Sequence, residues 1–117
     1  MAADEIPAVE CALFQQVMRK LKITWDDDET THRVRDELIP NAEAALRDRL
    51  GIPDSAGFSF LVPGAENILL ENHCWYAYYD ALEEFYEAYF DLIEECRRKW
   101  EVIQYALEKE AEGADAR

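Results

Sequence analysis

Residues 65–112 read AENILLENHCWYAYYDALEEFYEAYFDLIEECRRKWEVIQYALEKEAE and contain neither glycine nor proline. Apolar residues recur here at steps of three and four, the spacing that places side chains along one side of an α-helix. The series runs Phe85, Tyr89, Leu92, Cys96, Trp100, Ile103, Leu107. The pattern predicts helix over the whole stretch.

The length of this stretch limits how it can fold. One helix over it would measure about 72 Å at 1.5 Å per residue. A compact chain of 117 residues has a diameter of about 35 Å. We therefore expect residues 65–112 to break into two packed helices near Asp80–Glu84, or to project and be covered by neighbouring subunits.

Two further helices are predicted upstream. Residues 6–23 carry an amphipathic pattern, and an acid among residues 26–29 is expected to cap a second helix. Gly51 supplies the residue type that commonly ends a helix. Pro40 interrupts the second helix and removes a backbone donor, so we expect a kink or a break near Asn41.

Residues 52–64 connect the two upstream helices to residues 65–112. This segment combines glycine and proline with apolar side chains. An apolar loop is unusual as a solvent-facing connection, so it either folds over the core or meets a partner. The alternation in Phe58-Ser59-Phe60 permits a short extended piece.

The sequence as a whole predicts an all-α protein. We expect a small bundle of about four helices, with a long C-terminal helix or helix pair and one apolar loop containing glycine and proline. Residues 1–109 form a single domain, and residues 110–117 form an acidic tail that is expected to be disordered.

Charge and composition exclude several classes of function. The net charge is −14, from 26 acidic and 12 basic side chains, which opposes tight binding to nucleic acid or to an anionic membrane. No apolar run approaches the roughly 20 residues of a membrane span, and the N-terminus lacks the features of a signal peptide. The cysteines are few and dispersed, which predicts buried thiols in a reducing cytoplasm: Cys11, Cys74 and Cys96.

The groups needed for catalysis do not assemble in the sequence. His73 and Cys74 are adjacent and therefore point to different sides of a helix, which disfavours a nucleophile pair. The acids at 26–29 lack the glycine turn of a calcium loop, and Glu94-Glu95 lacks the Glu-x-x-His spacing of bundle metal sites. We therefore expect no enzymatic activity, no metal and no cofactor.

Charge and aromatic residues are unevenly distributed. No lysine or arginine lies between Arg49 and Arg97, whereas ten acids lie there, and 12 of the 14 aromatic residues fall between Phe58 and Tyr105. A monomer would present such acids as a solvated face. In an oligomer, they would instead meet a basic cluster of the next subunit.

Two candidate surfaces follow from this distribution. The candidate acidic channel or interface face consists of Glu83, Glu84, Glu87, Asp91, Glu94 and Glu95. The candidate assembly interface consists of Phe58, Phe60, Leu61, Val62, Arg97, Arg98 and Lys99.

Several short motifs occur in an order that resembles the tailed-phage head–tail connector family, also called head-completion or DNA-packaging connector proteins. They are Leu21-Lys22-Ile23-Thr24-Trp25-Asp26-Asp27-Asp28, Leu50-Gly51-Ile52, the helix from Glu66 to Tyr79, and Phe85 with Tyr89. The resemblance covers about Leu13 to Val102. Capping and core residues carry it, so it predicts architecture more directly than chemistry.

This resemblance implies a helical subunit without enzymatic activity that forms a homo-oligomeric ring at the portal vertex. The implied partners are the portal protein and a neighbouring head–tail connector or tail protein. The implied locations are the host bacterial cytoplasm during assembly and the head–tail junction of the mature virion. Two other readings of the same charge excess are an acidic inhibitor that mimics DNA and a monomeric helical adaptor.

Overall fold

The computed structural model describes residues 8–23 and 28–115, and all regular secondary structure in these ranges is helical. The α-helices are α1 (Ala8–Lys20), α2 (Asp28–His32), α3 (Ile39–Leu50), α4 (Ala65–Tyr78), α5 (Leu82–Ala88) and α6 (Phe90–Asp115); a π-helical turn spans Arg33–Leu38 and a 3₁₀ turn spans Asp54–Ala56. The predicted all-α class is confirmed. Predictions for residues 1–7, 24–27 and 116–117 lie outside the described residues.

α4 is the central helix of the fold. It contacts α1, the π-helical turn, α3, α5 and α6. Its buried side chains include Leu69, Leu70 and Cys74, and Phe85 of α5 is also fully buried. α4 is buried on more than one side because apolar residues follow each other closely in its sequence. None of the described helices is both long and apolar enough to cross a membrane.

The stretch that decides the fold breaks twice. Residues 79–81 separate α4 from α5, within the region where a break was expected, and Tyr89 separates α5 from α6. α6 has 26 residues and is therefore about 39 Å long. It continues through residues 110–115, which were expected as a disordered tail, because four of these six residues are alanine or glutamate, which favour helix.

The molecule is elongated rather than spherical. Its radius of gyration is 16.4 Å and its longest dimension is 55 Å, against a radius of about 13 Å for a compact chain of this length. The C-terminal half of α6 contributes to this shape, because from Glu101 to Gly113 every side chain except Ile103 and Leu107 is exposed.

The predicted break near Asn41 is wrong. The chain is helical without interruption from Asp28 to Leu50, and Pro40 lies in the first turn of α3. In the π-helical turn just before it, the Ile39 N–H donates to the Val34 carbonyl, five residues back. This wider turn places the proline at a helical start, where its missing N–H costs little.

Three helices end in the same way, with one residue in the left-handed conformation. Gly51 does this for α3, as predicted, with φ 72°. Lys22 after α1 and Asp80 after α4 adopt φ 60° and φ 56°. In each case the next residue donates to a carbonyl five positions back, at 3.0 Å, 3.1 Å and 2.8 Å respectively. Only glycine adopts this conformation without a steric cost.

Replacing Lys22 or Asp80 by glycine is therefore expected to stabilise the protein. Lys22→Gly should raise the free energy of unfolding by about 1 kcal/mol, and Asp80→Gly by about 0.5 kcal/mol, because aspartate tolerates the conformation better than lysine. Urea denaturation measures both changes. Gly51→Ala is the matched control: a Cβ would meet nothing within 4 Å, so the expected loss of about 1 kcal/mol reports the backbone alone. A loss of stability in Lys22→Gly would contradict the explanation.

Candidate assembly surface

The apolar loop of residues 52–64 folds over the core of its own chain. Phe60 is 1% exposed, and the half-buried Phe58 ring lies 5.3 Å from it and 5.2 Å from the Trp100 ring. Arg47 donates to the Phe58 carbonyl at 2.7 Å. The segment around Ser59 is irregular and forms no strand.

This burial changes the candidate assembly interface. Phe58 and Phe60 pack within the chain and leave little surface for a partner, because burying them already stabilises the fold. Leu61 is half-buried against the core. Val62, with 52% of its surface exposed, is the member of the loop that stays accessible.

The three basic residues of the candidate interface differ in their surroundings. Arg97 binds Glu94 at 2.8 Å and Glu101 at 2.6 Å, both on its own helix. Lys99 pairs with Glu66 of α4. Arg98 is exposed and forms no ion pair with any described residue. Of the three, Arg98 is thus the most available to a partner.

Glu66 is a buried carboxylate that the sequence pattern did not single out. It is 5% exposed and accepts hydrogen bonds from the Trp100 indole N–H at 3.0 Å and from Lys99. Burial alone would raise its pKa, but the hydrogen bonds from Lys99, its own backbone N–H and Trp100 outweigh burial and lower the pKa. Glu66 therefore stays charged and ties α4 to α6.

The candidate acidic face lies on α5 and the first turns of α6. Its exposed members are Glu83, Glu84, Glu87, Asp91 and Glu95. Glu94 is half-buried, and the hydrogen bond from Arg97 lowers its pKa. Beside the face, Ala77 and residues 80–84 line an open depression of about 400 Å³. The face thus concentrates negative charge on α5 and the first turns of α6.

The basic residues between Arg33 and Arg49 serve the chain itself rather than a partner. Three guanidinium groups lie 4.8–5.4 Å from the centres of aromatic rings: Arg33 over Tyr78, Arg47 over Phe60 and Arg49 over Tyr86. Such contacts stabilise by about 0.5–1 kcal/mol at exposed sites. They hold α4, α5 and the apolar loop against the π-helical turn and α3.

The structure gives His73 and Cys74 no catalytic partnership. The Cys74 thiol donates to the Leu38 carbonyl at 3.6 Å, and burial, together with Glu43 and Glu71, raises its pKa to about 12. A thiol with this pKa remains protonated and unreactive near neutral pH. Within residues 8–23 and 28–115, no three His, Cys, Asp or Glu side chains are grouped so as to hold a metal ion.

His73 is buried without polar partners. It is 3% exposed, neither ring nitrogen has a hydrogen-bond partner among the described residues, and its ring packs edge-on against Phe85 at 5.2 Å. Burial lowers its pKa, so the neutral imidazole acts as an aromatic core residue.

Comparison with models of known protein families, with curated proteins and with solved structures gives no match. The resemblance to connectors thus rests on the sequence motifs.

Glu66→Ala should lower the free energy of unfolding by about 3 kcal/mol, because it leaves a buried indole N–H unpaired and removes the partner of Lys99. Urea denaturation measures the change. Glu95→Ala, at an exposed position of α6, is the control and should change stability by less than about 0.5 kcal/mol. Equal losses in the two variants would show that Glu66 is an ordinary surface acid.

His73 should make the protein less stable in mild acid. Because burial lowers its pKa below the ordinary value of 6.5, the unfolded chain binds more protons below that pH, and the free energy of unfolding falls as the pH drops. His73→Phe should abolish the fall in the free energy of unfolding between about pH 7.5 and about pH 5.5. Urea denaturation at each pH measures it. The control His32→Phe, at an exposed position, should still lose stability as the pH drops. An unchanged loss of stability in His73→Phe would show that another group causes it.

Proposed function

We propose that this chain is a structural subunit of a phage or prophage head–tail connector, which assembles into a ring at the portal vertex and has no enzymatic activity. The observation that carries the proposal is the acidic face of α5 and α6, exposed on a helical subunit whose motifs follow the order found in connectors. Its partners would be further copies of itself, the portal protein, and a neighbouring connector or tail protein. It would act in the host bacterial cytoplasm during assembly and at the head–tail junction of the mature virion.

The acidic face fits the lining of a channel through which DNA passes. DNA carries one negative charge per about 1.7 Å of its axis, and proteins bind it chiefly through lysine and arginine. A lining of Glu83, Glu87 and Asp91 repels phosphates and keeps the genome from adhering to the wall. Residues 50–96 contain no lysine or arginine, and the cations beside the face include Arg97, which binds Glu94, and Arg49, which lies over the Tyr86 ring.

Exposed apolar side chains support assembly. Large ones that are between 46% and 70% exposed are Val62, Ile68, Tyr79, Phe90, Val102 and Tyr105. Tyrosine and phenylalanine are favoured at protein interfaces, because each buries a large area at a small entropic cost. Several such residues on a chain of 117 residues favour a subunit over a free-standing monomer.

Native mass spectrometry and electron microscopy of the purified protein, alone and with a portal protein, test this function. Closed rings with Glu83, Glu87 and Asp91 in the lumen are expected. Rings with these carboxylates on the outside would contradict the proposal that the acidic face lines the channel. A monomer at every concentration, with and without portal protein, would favour the helical adaptor, and tight binding to a cationic DNA-binding protein would favour the DNA mimic.

Neutralising the lining should make the ring adhere to DNA. The variant Glu83→Gln, Glu87→Gln, Asp91→Asn is expected to bind duplex DNA about tenfold more tightly than the unmodified ring in a gel-shift titration at low salt. The control Glu37→Gln, Asp48→Asn, Asp54→Asn removes the same charge at exposed positions away from the face and should have a smaller effect. Equal effects would mean that net charge, and not its location, controls binding.

A further inference from the structure

The C-terminal half of α6, residues 101–113, is here called the distal arm. Upstream of it, Ile93, Cys96 and Trp100 are buried. In the arm, Val102 is 70% exposed and Tyr105 is 62% exposed. The arm therefore presents apolar side chains that its own chain does not cover, and such uncovered groups mark contact sites.

The arm is also acidic. Residues 101–113 contain four glutamates and one lysine: Glu101, Glu108, Glu110, Glu112 and Lys109. Glu101 and Glu108 lie four residues before and three residues after Tyr105, so all three share one side of the helix. Lys109 lies over the Tyr105 ring at 5.6 Å, and Arg97 pairs with Glu101. Because four glutamates face one lysine, the arm keeps a net charge of −3, and a surface that fits it needs an apolar centre and positive charge at its edges.

The end of α1 and the start of α4 offer these two properties on the same chain. The side chains of Gln16 and Asn67 bond each other at 2.8 Å and 3.0 Å. Asn67 also donates to the Phe60 carbonyl at 2.7 Å. These bonds join α1 to the segment that carries Val62 and Ile68, which are 52% and 46% exposed.

The basic residues of this surface are uncommitted. None of Arg19, Lys20 and Lys22 forms an ion pair with any described residue, unlike Arg97 and Lys99. Lys20 follows Gln16 by four residues and so lies on the same side of α1. We call this surface the acceptor patch; it consists of Arg19, Lys20, Lys22, Val62 and Ile68.

We propose that the distal arm of one copy lies across the acceptor patch of a neighbouring copy. Val102 and Tyr105 would cover Val62 and Ile68, while Glu101 and Glu108 would face the basic residues of α1. Both surfaces are exposed in the single chain, so they do not satisfy each other within one copy. The inference rests on the proposed function and specifies which surfaces of neighbouring copies meet.

The pairing also explains how a chain with a net charge of −14 associates with itself. Like charges oppose association unless the contact is locally complementary. An arm placed on a different surface of the next copy is a heterologous contact, which repeats from copy to copy and closes into a ring when the rotation permits.

Charge reversal tests the pairing. One variant carries Glu101→Lys and Glu108→Lys in the arm, and the other carries Arg19→Glu and Lys20→Glu in the patch. Each alone should associate at least tenfold more weakly than the unmodified protein, measured by native mass spectrometry and analytical ultracentrifugation. An equimolar mixture should recover assembly, because every arm then meets a patch of opposite charge. The control Glu37→Lys, Asp54→Lys makes the same charge change as the arm variant at exposed positions elsewhere and should assemble normally.

The outcomes separate this inference from the function on which it rests. If the unmodified protein forms rings and both charge-reversed variants form them equally well, the arm–patch contact is refuted and the connector function stands. If the unmodified protein never assembles, with or without portal protein, both fail. Circular dichroism of each variant checks that the helices are intact, since Glu101 also binds Arg97 within the chain.

Val102→Ser with Tyr105→Ser tests the apolar part of the contact separately from the charged part. This variant should weaken assembly without altering its dependence on salt.

Discussion

The contact of Glu66 with Trp100 and Lys99 is the interaction on which the arrangement of the helices depends. It joins the first turn of the central helix to the middle of the longest one. Trp100 in turn supports Phe58, so the apolar loop is held by the same contact. A buried carboxylate is costly unless its hydrogen bonds are made in full, and here a cation and a neutral donor share it. One charged side chain thereby fixes the positions of α4, the loop and α6 together.

The positive charges of the described residues are mostly used inside the chain. Arginines of the π-helical turn and α3 cover aromatic rings, and Arg97 and Lys99 are paired with glutamates. The acids, which outnumber the bases, are left to face solvent. The field around the molecule is thus negative in most directions, and the end of α1 is a local exception. In the arm–patch contact proposed above, this contrast would set which end of one copy meets the next.

How much could be predicted from the sequence depended on whether a feature was local. The all-helical class and the role of Gly51 follow from spacing and residue type, and both were predicted. The second break of the long stretch, at Tyr89, was not. Lys22 and Asp80 end helices in a conformation that their residue types do not favour, so only the tertiary structure places them there. Glu66 at the start of a helix has the pattern of an exposed acid stabilised by the helix dipole, and nothing nearby in sequence reveals Trp100. Phe58 and Phe60 were compatible with burial in the core or with contact to a partner, and that choice depended on the Trp100 ring, 42 residues beyond Phe58.

The π-helical turn at Arg33–Leu38 has a consequence for how this chain tolerates insertions and deletions. A π-helical turn holds one more residue than an α-helical turn, and each residue turns an α-helix by about 100°. The turn absorbs this extra residue locally, so α2 and α3 keep the relative orientation in which Arg33 lies over Tyr78. A single-residue deletion within the turn would close it to an α-helical turn and leave the helices on either side in register. The same deletion inside α3 has no wider turn to absorb it and would rotate everything before it by more than a quarter turn. Chain length is thus tolerated at the π-helical turn and strictly specified in the helix that follows.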